Sequence, residues 1–266
     1  MMALTNEQYR TAYVFCAYGE FSQQYCEVLA DRGIEAVNVD GGYRAIRVIK
    51  KKSREQLKKS LLLYAVTDRR WLKDGQSLKD VVKEAVDGGA TMVQLREKSL
   101  SEEETIEEAK ELKAFLSEKK VPLIIDNSIE VTLKSGADGV HLGQDDCPVR
   151  KARSRLGQSV IIGATAHNVE EAMKAQADGA DYLGVGAAFG SITKSDAKPI
   201  VSLDEYKKIT RAVSIPVVAI GGIDETNVIR LKGLGLSGAA VVSAIFSKDD
   251  IRKATEALKK DLDEFE

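Results

Sequence analysis

Three groups of charged and polar residues, each following a short apolar run, could bind a diphosphate and a metal ion. They are Gln94–Lys98, Asp126–Asn127 and His141–Asp146. Arginine and lysine suit the phosphate oxygens of a diphosphate, and Mg²⁺ binds one or two carboxylates together with phosphate oxygens. Arg96 and Lys98, together with Asp146, therefore predict such a site. The alternative is a purely structural ion pair between Arg96 and Asp146.

A second anion site is indicated by Gly221-Gly222 and Val242-Ser243, which follow the last two apolar runs. Glycine has no Cβ, so backbone N–H groups can approach a phosphate closely there. Ser191, Thr193 and Lys194 could add hydroxyl donors and one positive charge. The alternative is that the two glycines only permit a tight turn.

Other kinds of chemistry lack the residues that they need. No Ser/His/Asp or Cys/His arrangement stands out, and the three cysteines, without CxxC spacing, predict neither a zinc site nor a disulfide framework. His141 is interpreted as a packed polar residue, and His167 as a residue that lines the site or caps a helix. A reducing, cytoplasmic setting is the simplest expectation.

From Leu61 onward, eight short apolar runs alternate with amphipathic stretches of helical spacing. This alternation predicts an α/β fold, namely a closed parallel (β/α)8 TIM barrel with a short α/β N-terminal extension. The alternative is an open doubly wound sheet, which the lack of GxGxxG after the first run disfavours. In a barrel, the site lies at the carboxyl ends of the strands. The predicted strands are Leu62–Val66, Met92–Leu95, Leu123–Ile125, Gly139–Leu142, Val160–Ile162, Tyr182–Val185, Val217–Ile220 and Ala239–Val242.

The composition argues for small-molecule partners. The chain has 266 residues, of which 39 are basic and 41 acidic, and 44% are hydrophobic. A balanced charge gives no global argument for nucleic acid or a membrane surface as a partner. No apolar run approaches the ~18–20 residues that cross a bilayer, and the first residues lack the apolar core of a signal peptide. The composition leaves open whether the chain forms a homo-oligomer.

The pattern divides the chain into three parts. Residues 1–49 contain two predicted strands, at 12–16 and 36–39, around a predicted helix at 20–32. Residues 50–60 are a charged stretch that is interpreted as a solvated linker or an exposed helix face. Residues 61–266 form the predicted barrel.

Six motifs in series make the barrel, from about Leu62 to about Lys260, resemble thiamine-phosphate synthases. The resemblance implies a Mg²⁺-dependent transferase that joins 4-amino-5-hydroxymethyl-2-methylpyrimidine diphosphate to thiazole phosphate and releases diphosphate. It also implies that departure of the diphosphate leaves a pyrimidine carbocation, which the thiazole nitrogen captures. The motifs are Gln94–Lys98, His141–Asp146, Gly163–Asn168, Thr193–Ala197, Gly221–Ile223 and Val242–Ile245.

The same resemblance implies roles for single residues. Arg96, Lys98 and Lys194 are expected to act in catalysis on the departing diphosphate, and Asn127 and Asp146 are expected to hold Mg²⁺. The residues expected to bind the substrates are Gln94, Leu95, Arg96, Glu97, Lys98, Asp126, Thr165, Ser191, Ile192, Thr193, Lys194, Gly222, Val242 and Ser243.

Two positions depart from the family pattern. The family usually has Asn-Asp or Asp-Asp after the third strand, where this chain has Asp126-Asn127. An amide in place of a carboxylate removes one negative charge and should weaken Mg²⁺ binding, unless Asp126 takes over as the ligand. The family usually has Pro-Thr where this chain has Gly190-Ser191, which keeps a hydroxyl but loosens the loop.

Residues 10–48 resemble the C-terminal half of a rhodanese-like domain. The resemblance rests on Cys16 to Ser22 and on Asn38 to Ala45, and it implies that Cys16 stands at the sulfur-carrying position. However, Phe21 replaces the usual arginine, and the first half of such a domain is missing. A degenerate segment or a packing remnant is therefore expected rather than an active sulfur transferase.

Two other functions remain open at this point. A thiazole tautomerase would share the thiazole-phosphate half of the site, but it has no diphosphate that would require Arg96, Lys98, Asp146 and Lys194. A pseudoenzyme that binds thiazole phosphate without turnover would be consistent with Asn127 and with the added N-terminal segment.

Overall fold

A computed structural model describes residues 2–6, 11–15, 35–38, 54–190 and 200–265. The chain divides into two compact units, Met1–Gln56 and Leu57–Glu266. Within the stretch interpreted as a linker, residues 54–60 are helical. The three-part division at residues 49, 50–60 and 61 stays a prediction.

The described part of the first unit is a three-stranded sheet in the order β1-β2-β3. Strand β1 (Met2–Asn6) runs antiparallel to β2 (Thr11–Phe15), and β3 (Glu35–Asn38) runs parallel to β2. Strands β2 and β3 lie within one residue of the predicted strands, whereas the sequence analysis missed β1. Cys16, the predicted helix at 20–32 and the residues after Asn38 that carry the rhodanese-like resemblance lie outside the described residues.

The second unit is a closed barrel of eight parallel strands, in the order β10-β11-β4-β5-β6-β7-β8-β9. This confirms the (β/α)8 fold and excludes the open sheet. Seven of the eight strands have at most one residue that is not buried, as expected for strands covered on both faces. The strands are β4 (Leu63–Val66), β5 (Met92–Leu95), β6 (Leu123–Asp126), β7 (Gly139–Leu142), β8 (Ile161–Ala166), β9 (Tyr182–Gly186), β10 (Val217–Ile220) and β11 (Gly238–Val241).

Strand β8 is longer than its apolar run. The sequence predicts that the strand ends at Ile162, but pairing with β9 continues through Thr165 and Ala166. The glycine at 163 and the small residues after it lower the hydrophobicity of the run without ending the strand. Thr165 is therefore a strand residue and not a loop residue.

Eight helices of the described residues cover the outside of the barrel or follow its last strand. Ser77 and Ser101 cap the first two helices, and each is paired with a carboxylate three residues later in a capping box. Asn168 caps the fifth helix by accepting the N–H of Glu171. The helices are α1 (Leu78–Asp87), α2 (Glu102–Lys119), α3 (Ile129–Ser135), α4 (Val149–Leu156), α5 (Val169–Ala177), α6 (Leu203–Ala212), α7 (Ser243–Phe246) and α8 (Ile251–Asp263).

The segment after β10 begins with a local turn. There Asp224 accepts the N–H of Thr226 at 2.9 Å. The segment that follows is a short 3-10 helix, Val228–Leu231, and not an α-helix. The Asp side chain satisfies the backbone two residues ahead, and this competes with a regular helix start.

Two buried layers hold the barrel together. The larger lies between the strands and the helices and includes Val93, Leu112 and Leu183. The smaller fills the barrel interior and includes Tyr64, Met92, Ile124 and Tyr182, with Leu57 and Leu61 packed against or within it. The interior is therefore a packed core, and side chains at the strand ends lie above it.

The two ends of the barrel differ in the residues that they carry. Gly-Ala turns precede β5, β7 and β9, and Gly136 in one of them has the positive φ of 71° that favours glycine. The charged motifs follow the strands at the opposite end. None of the described helices is long and apolar enough to cross a membrane.

Candidate active site

A chain of hydrogen bonds crosses the barrel interior below the charged residues. The amide Nε2 of Gln94 donates to Tyr64 Oη at 2.7 Å, and Tyr64 Oη lies 2.9 Å from Tyr182 Oη. Tyr182 Oη lies 3.0 Å from His141 Nδ1, and His141 Nε2 lies 3.1 Å from Thr165 Oγ1. Five polar side chains from five strands thus form one continuous network.

Burial keeps both tyrosines of this network protonated. It raises the pKa of Tyr64 and that of Tyr182 far above the usual value, because a phenolate would lose its hydration inside the barrel. Each hydroxyl therefore keeps one proton to donate at neutral pH. The buried polar groups are satisfied by one another, as buried polar groups must be.

Two glycines make room for the network. A Cβ at Gly163 would overlap the ring and hydroxyl of Tyr182, and a Cβ at Gly184 would lie 3.0 Å from His141 Cε1. Gly163 lies on β8, which pairs with β7, the strand of His141. Gly184 lies on β9, which pairs with β8. The network therefore needs glycine at position 163, whereas a Cβ at position 184 would require a small shift of His141.

A cluster of charges lies at the carboxyl ends of β4, β5 and β6. Lys98 Nζ is 3.2 Å and Arg96 Nε is 3.9 Å from Asp126 Oδ2, and Arg96 Nη1 is also 3.4 Å from Asp68 Oδ2. Hydrogen bonds from Arg70 hold the pKa of Asp68 below its usual range. Arg96 is paired with Asp68 and Asp126, and not with Asp146 as one alternative had it.

Glu97 is directed away from this cluster. Its carboxylate accepts from Arg69 Nε at 2.7 Å, and from the backbone N–H groups of Lys98 at 2.8 Å and Ser99 at 3.0 Å. Burial acts to raise the pKa of Glu97, but these hydrogen bonds outweigh it and hold the pKa below its usual range. Glu97 therefore fixes the loop that carries Lys98. The side chain of Leu95 is buried between the strands and the helices.

Asp146 and Asn127 stand at the ends of neighbouring strands. Asp146 Oδ2 accepts the N–H of Gly143 at 2.6 Å, which holds its carboxylate against the start of its own loop. Asn127 is exposed, has a φ of 55°, and donates its N–H to the carbonyl of His141 at 2.9 Å. Asparagine tolerates this left-handed backbone better than most residues.

The oxygen donors here fit Mg²⁺. Asp126 and Asp146 supply carboxylates and Asn127 supplies an amide oxygen, and Mg²⁺ needs one or two such protein ligands beside substrate phosphates. Among the described residues, no group of three or more His, Cys, Asp or Glu could hold a metal ion by itself.

The second predicted anion site lies after β10 and β11. Gly222 has a φ of 67°, and a Cβ there would overlap the carbonyl oxygen of Gly190, so the turn requires glycine. Val242 packs against the interior core, and Ser243 begins α7. Of the residues expected here, Ser191, Ile192, Thr193 and Lys194 lie outside the described residues.

Comparison with known proteins decides the family. A family model described as thiamine monophosphate synthase matches residues 63–245. The chain belongs to the thiamine monophosphate synthase family. A thiamine-phosphate synthase of Clostridium tetani is 48% identical over 196 residues, which are 74% of this chain and 93% of that protein. The thiamine phosphate pyrophosphorylase of Pyrococcus furiosus is similar in structure, with a TM-score of 0.72 and 39% identity over 79% of this chain and 98% of that one.

The structure adds residues to the thiamine monophosphate synthase motifs that sequence analysis missed. Tyr64 and Tyr182 were taken only as members of apolar runs, although a tyrosine in a barrel strand needs a partner for its hydroxyl. Asp68 and Arg69 follow the first strand, directly after Thr67, whose Oγ1 accepts the N–H of Arg96 at 3.0 Å. Their position at a strand end was the available signal.

His141 and His167 have separate roles. His141 is a packed polar residue, as interpreted, but its partners are members of the network that reaches Thr165. His167 Nδ1 lies 2.8 Å from Glu171 Oε2 at the start of α5. Of its two interpretations, the structure favours the one that places it at a helix start.

Proposed function

We propose that the barrel is a thiamine-phosphate synthase that joins 4-amino-5-hydroxymethyl-2-methylpyrimidine diphosphate to thiazole phosphate. The products would be thiamine phosphate and diphosphate. The observation that carries this proposal is the position of Arg96 and Lys98, within 3.9 Å and 3.2 Å of one carboxylate oxygen of Asp126. Two cations lie beside a carboxylate, above the buried hydrogen-bond network. This arrangement suits a magnesium-bound diphosphate on an aromatic ring.

The residues of the first half of the site would bind the pyrimidine diphosphate. Arg96 and Lys98 would bind its phosphates, and Gln94 and Thr165 would contact the ring from the two ends of the buried network. Glu97 and Leu95 would support this site from behind, since their side chains contact Arg69 and the outer core. Lys194 would contact the diphosphate as it departs.

We propose that Asp146 holds Mg²⁺ together with Asn127 or Asp126. When bound, Mg²⁺ would neutralise charge on the departing diphosphate. Asp126 already faces Arg96 and Lys98, so a cation beside it would compete with them and direct them toward the phosphates. Asn127 contributes no charge and would act only through its amide oxygen.

The second half of the site would hold the thiazole phosphate. Gly222 and Ser243 follow the seventh and eighth strands of the barrel, where TIM barrels commonly bind phosphate. Ser191, Ile192, Thr193 and Val242 would complete this half. The two substrates would then lie side by side at the mouth of the barrel.

The chain's own residues would act by positioning and by charge. The proposed reaction needs no nucleophile from the protein, so the site would hold the thiazole nitrogen against the carbon that loses diphosphate. Such orientation can replace a large part of the barrier of a bimolecular reaction. Arg96, Lys98 and Lys194 would stabilise the leaving diphosphate as its charge develops.

Release of diphosphate from the purified full-length chain tests the proposal. Diphosphate is measured with both substrates, with each substrate alone, and with and without Mg²⁺. Release that requires both substrates and Mg²⁺ supports the synthase. Binding of thiazole phosphate without release of diphosphate would replace it with the tautomerase or the pseudoenzyme, and isomerisation of the thiazole would separate those two.

For the first unit, we propose a partial rhodanese-like segment that packs but does not transfer sulfur. The described strands β2 and β3 agree with an α/β arrangement of this segment. A cytoplasmic location suits the odd number of cysteines.

A further inference from the structure

The buried network can run in two directions, and the orientation of the Gln94 amide decides which one it takes. Gln94 Nε2 donates to Tyr64 Oη at 2.7 Å. Tyr64 then turns its own proton to Tyr182, 2.9 Å away, and Tyr182 turns its proton to His141 Nδ1, 3.0 Å away. A neutral imidazole that accepts at Nδ1 carries its proton on Nε2. His141 Nε2 therefore donates to Thr165 Oγ1 at 3.1 Å.

This direction leaves one open group at each end. At the β5 end, no described residue donates to Gln94 Oε1, which remains an acceptor. At the β8 end, Thr165 Oγ1 already accepts from His141, and no described residue accepts the proton of its hydroxyl. In this direction Gln94 Oε1 is an open acceptor, beside the second N–H of the same amide, and the Thr165 hydroxyl is an open donor.

The opposite direction is equally complete. If the Gln94 amide turned over, Tyr64 would donate to Oε1, Tyr182 to Tyr64, His141 Nδ1 to Tyr182, and Thr165 to His141 Nε2. The proton count is the same, but Gln94 would then offer a donor and Thr165 an acceptor. A mixed state would leave a hydrogen bond unmade in the barrel interior, where an unsatisfied polar group costs about 1–3 kcal/mol.

We propose that Tyr64, Tyr182 and His141 are positioning residues that force Gln94 and Thr165 to play opposite hydrogen-bond roles, so that the site selects a ring offering a donor on one edge and an acceptor on another. An aminopyrimidine is such a ring, because its exocyclic amino group donates and its ring nitrogens accept. The inference rests on the proposed function and specifies how the pyrimidine half of that site distinguishes rings.

The choice of ring would be enforced at both ends together. A ring with two donors or two acceptors would satisfy one end and oppose the other, whichever direction the network takes. The tyrosines and the histidine need not contact the substrate for this effect. Interrupting the network in the middle would let each end adjust independently.

The test compares the pyrimidine diphosphate with an analogue in which the ring nitrogen opposite the amino group is replaced by C–H. We expect wild-type kcat/KM to favour the parent compound by ~10–100-fold, because the analogue leaves the donor at one end of the network without an acceptor. The same ratio is then measured for Tyr182→Phe. Intrinsic differences in reactivity between the two compounds cancel when the variant's ratio is divided by that of the wild type.

In Tyr182→Phe, the ratio of kcat/KM for the parent compound to kcat/KM for the analogue should fall to about one third to one tenth of the wild-type ratio. The reason is that the Thr165 hydroxyl becomes free to turn. Tyr206→Phe is the matched control, because Tyr206 is also buried and donates to the carbonyl of Val185 at 2.7 Å outside the network. It should keep the wild-type ratio even if it lowers thermal stability.

A wild-type ratio in Tyr182→Phe would overturn the inference while leaving the synthase proposal intact. Absence of diphosphate release in the wild type, by contrast, would remove the proposed function itself. If Tyr182→Phe does not fold, Tyr64→Phe interrupts the same network next to Gln94 and must lower the ratio in the same way. His141→Gln, whose amide can accept from Tyr182 and donate to Thr165, should retain more of the ratio than His141→Leu.

Discussion

Lys98 Nζ lies 3.2 Å from Asp126 Oδ2, and Arg96 Nε reaches the same oxygen at 3.9 Å. One carboxylate thus faces both of the cations that would bind a diphosphate. Lys98 is 54% exposed, and ion pairs of this kind contribute only about 0–1 kcal/mol. The pair is weak enough for a diphosphate to replace Asp126 as the partner of Lys98.

Lys98→Ala should therefore reduce turnover without affecting the other half of the site. We expect kcat/KM for the pyrimidine diphosphate to fall by ~100-fold or more, because a cation that stabilises the leaving group is removed. Binding of thiazole phosphate, measured by calorimetry, should be unchanged. Lys232→Ala is the control, since Lys232 pairs with Glu264 at the surface at 3.2 Å. Full activity in Lys98→Ala would refute the assignment of the diphosphate site.

Asp146→Asn and Asn127→Asp should change the Mg²⁺ requirement in opposite directions. Asp146→Asn removes a carboxylate and should raise the Mg²⁺ concentration at half-maximal rate by ~10-fold or more, whereas Asn127→Asp adds one and should lower it severalfold. The measurement is a Mg²⁺ titration of diphosphate release at saturating substrates. If Asn127→Asp leaves the midpoint unchanged while Asp126→Asn raises it, then Asp126 is the second ligand.

The barrel could be predicted from the sequence because each strand is an apolar run buried on both faces. Strand β5 matches its predicted bounds, Met92–Leu95, and only β8 extends well past its run, through Gly163 to Ala166. The clustering of the charged motifs could also be predicted, since the carboxyl ends of the strands meet at one end of a barrel. The buried network could not be predicted from the sequence, because the partners of Tyr64 and Tyr182 come from strands 30 to 118 residues away. Such pairings depend on closure of the barrel and not on local pattern.

Glu97→Gln should destabilise the protein in a pH-dependent way. At pH 7 we expect a loss of about 1–3 kcal/mol, because a buried carboxylate that accepts from Arg69 Nε at 2.7 Å is replaced by an amide. The folded pKa of Glu97 is lowered, so its contribution is complete above the unfolded pKa of about 4.3 and is lost as pH falls through the folded pKa.

Urea unfolding from pH 7 down to about pH 3.5 measures this contribution. The stability gap between wild type and Glu97→Gln should narrow at the acid end, in line with that linkage. Glu256→Gln, which removes an exposed carboxylate 3.0 Å from Arg252, should show a small gap at every pH. A gap for Glu97→Gln that does not change with pH would contradict the role given to its charge.

Cys16→Ser should leave synthase activity unchanged. Cys16 lies in the N-terminal unit, and the proposed synthase site is built from residues of the barrel unit. The measurement is kcat/KM for both substrates under reducing conditions, with wild type as the reference. A large loss in Cys16→Ser would give the N-terminal segment a part in the reaction and would disprove its description as a packing remnant.

Gly163→Ala should disturb the buried hydrogen-bond network more than Gly184→Ala does. A Cβ at Gly163 would overlap the ring of Tyr182, whereas a Cβ at Gly184 would lie 3.0 Å from His141 Cε1 and needs only a small shift. Overpacking of this kind typically costs about 1–3 kcal/mol. We expect Gly163→Ala to show the larger loss of stability in urea, and a loss of kcat/KM that exceeds the loss caused by Gly184→Ala. Both variants add the same methyl group, so equal effects would mean that the position of Tyr182 does not matter to the site.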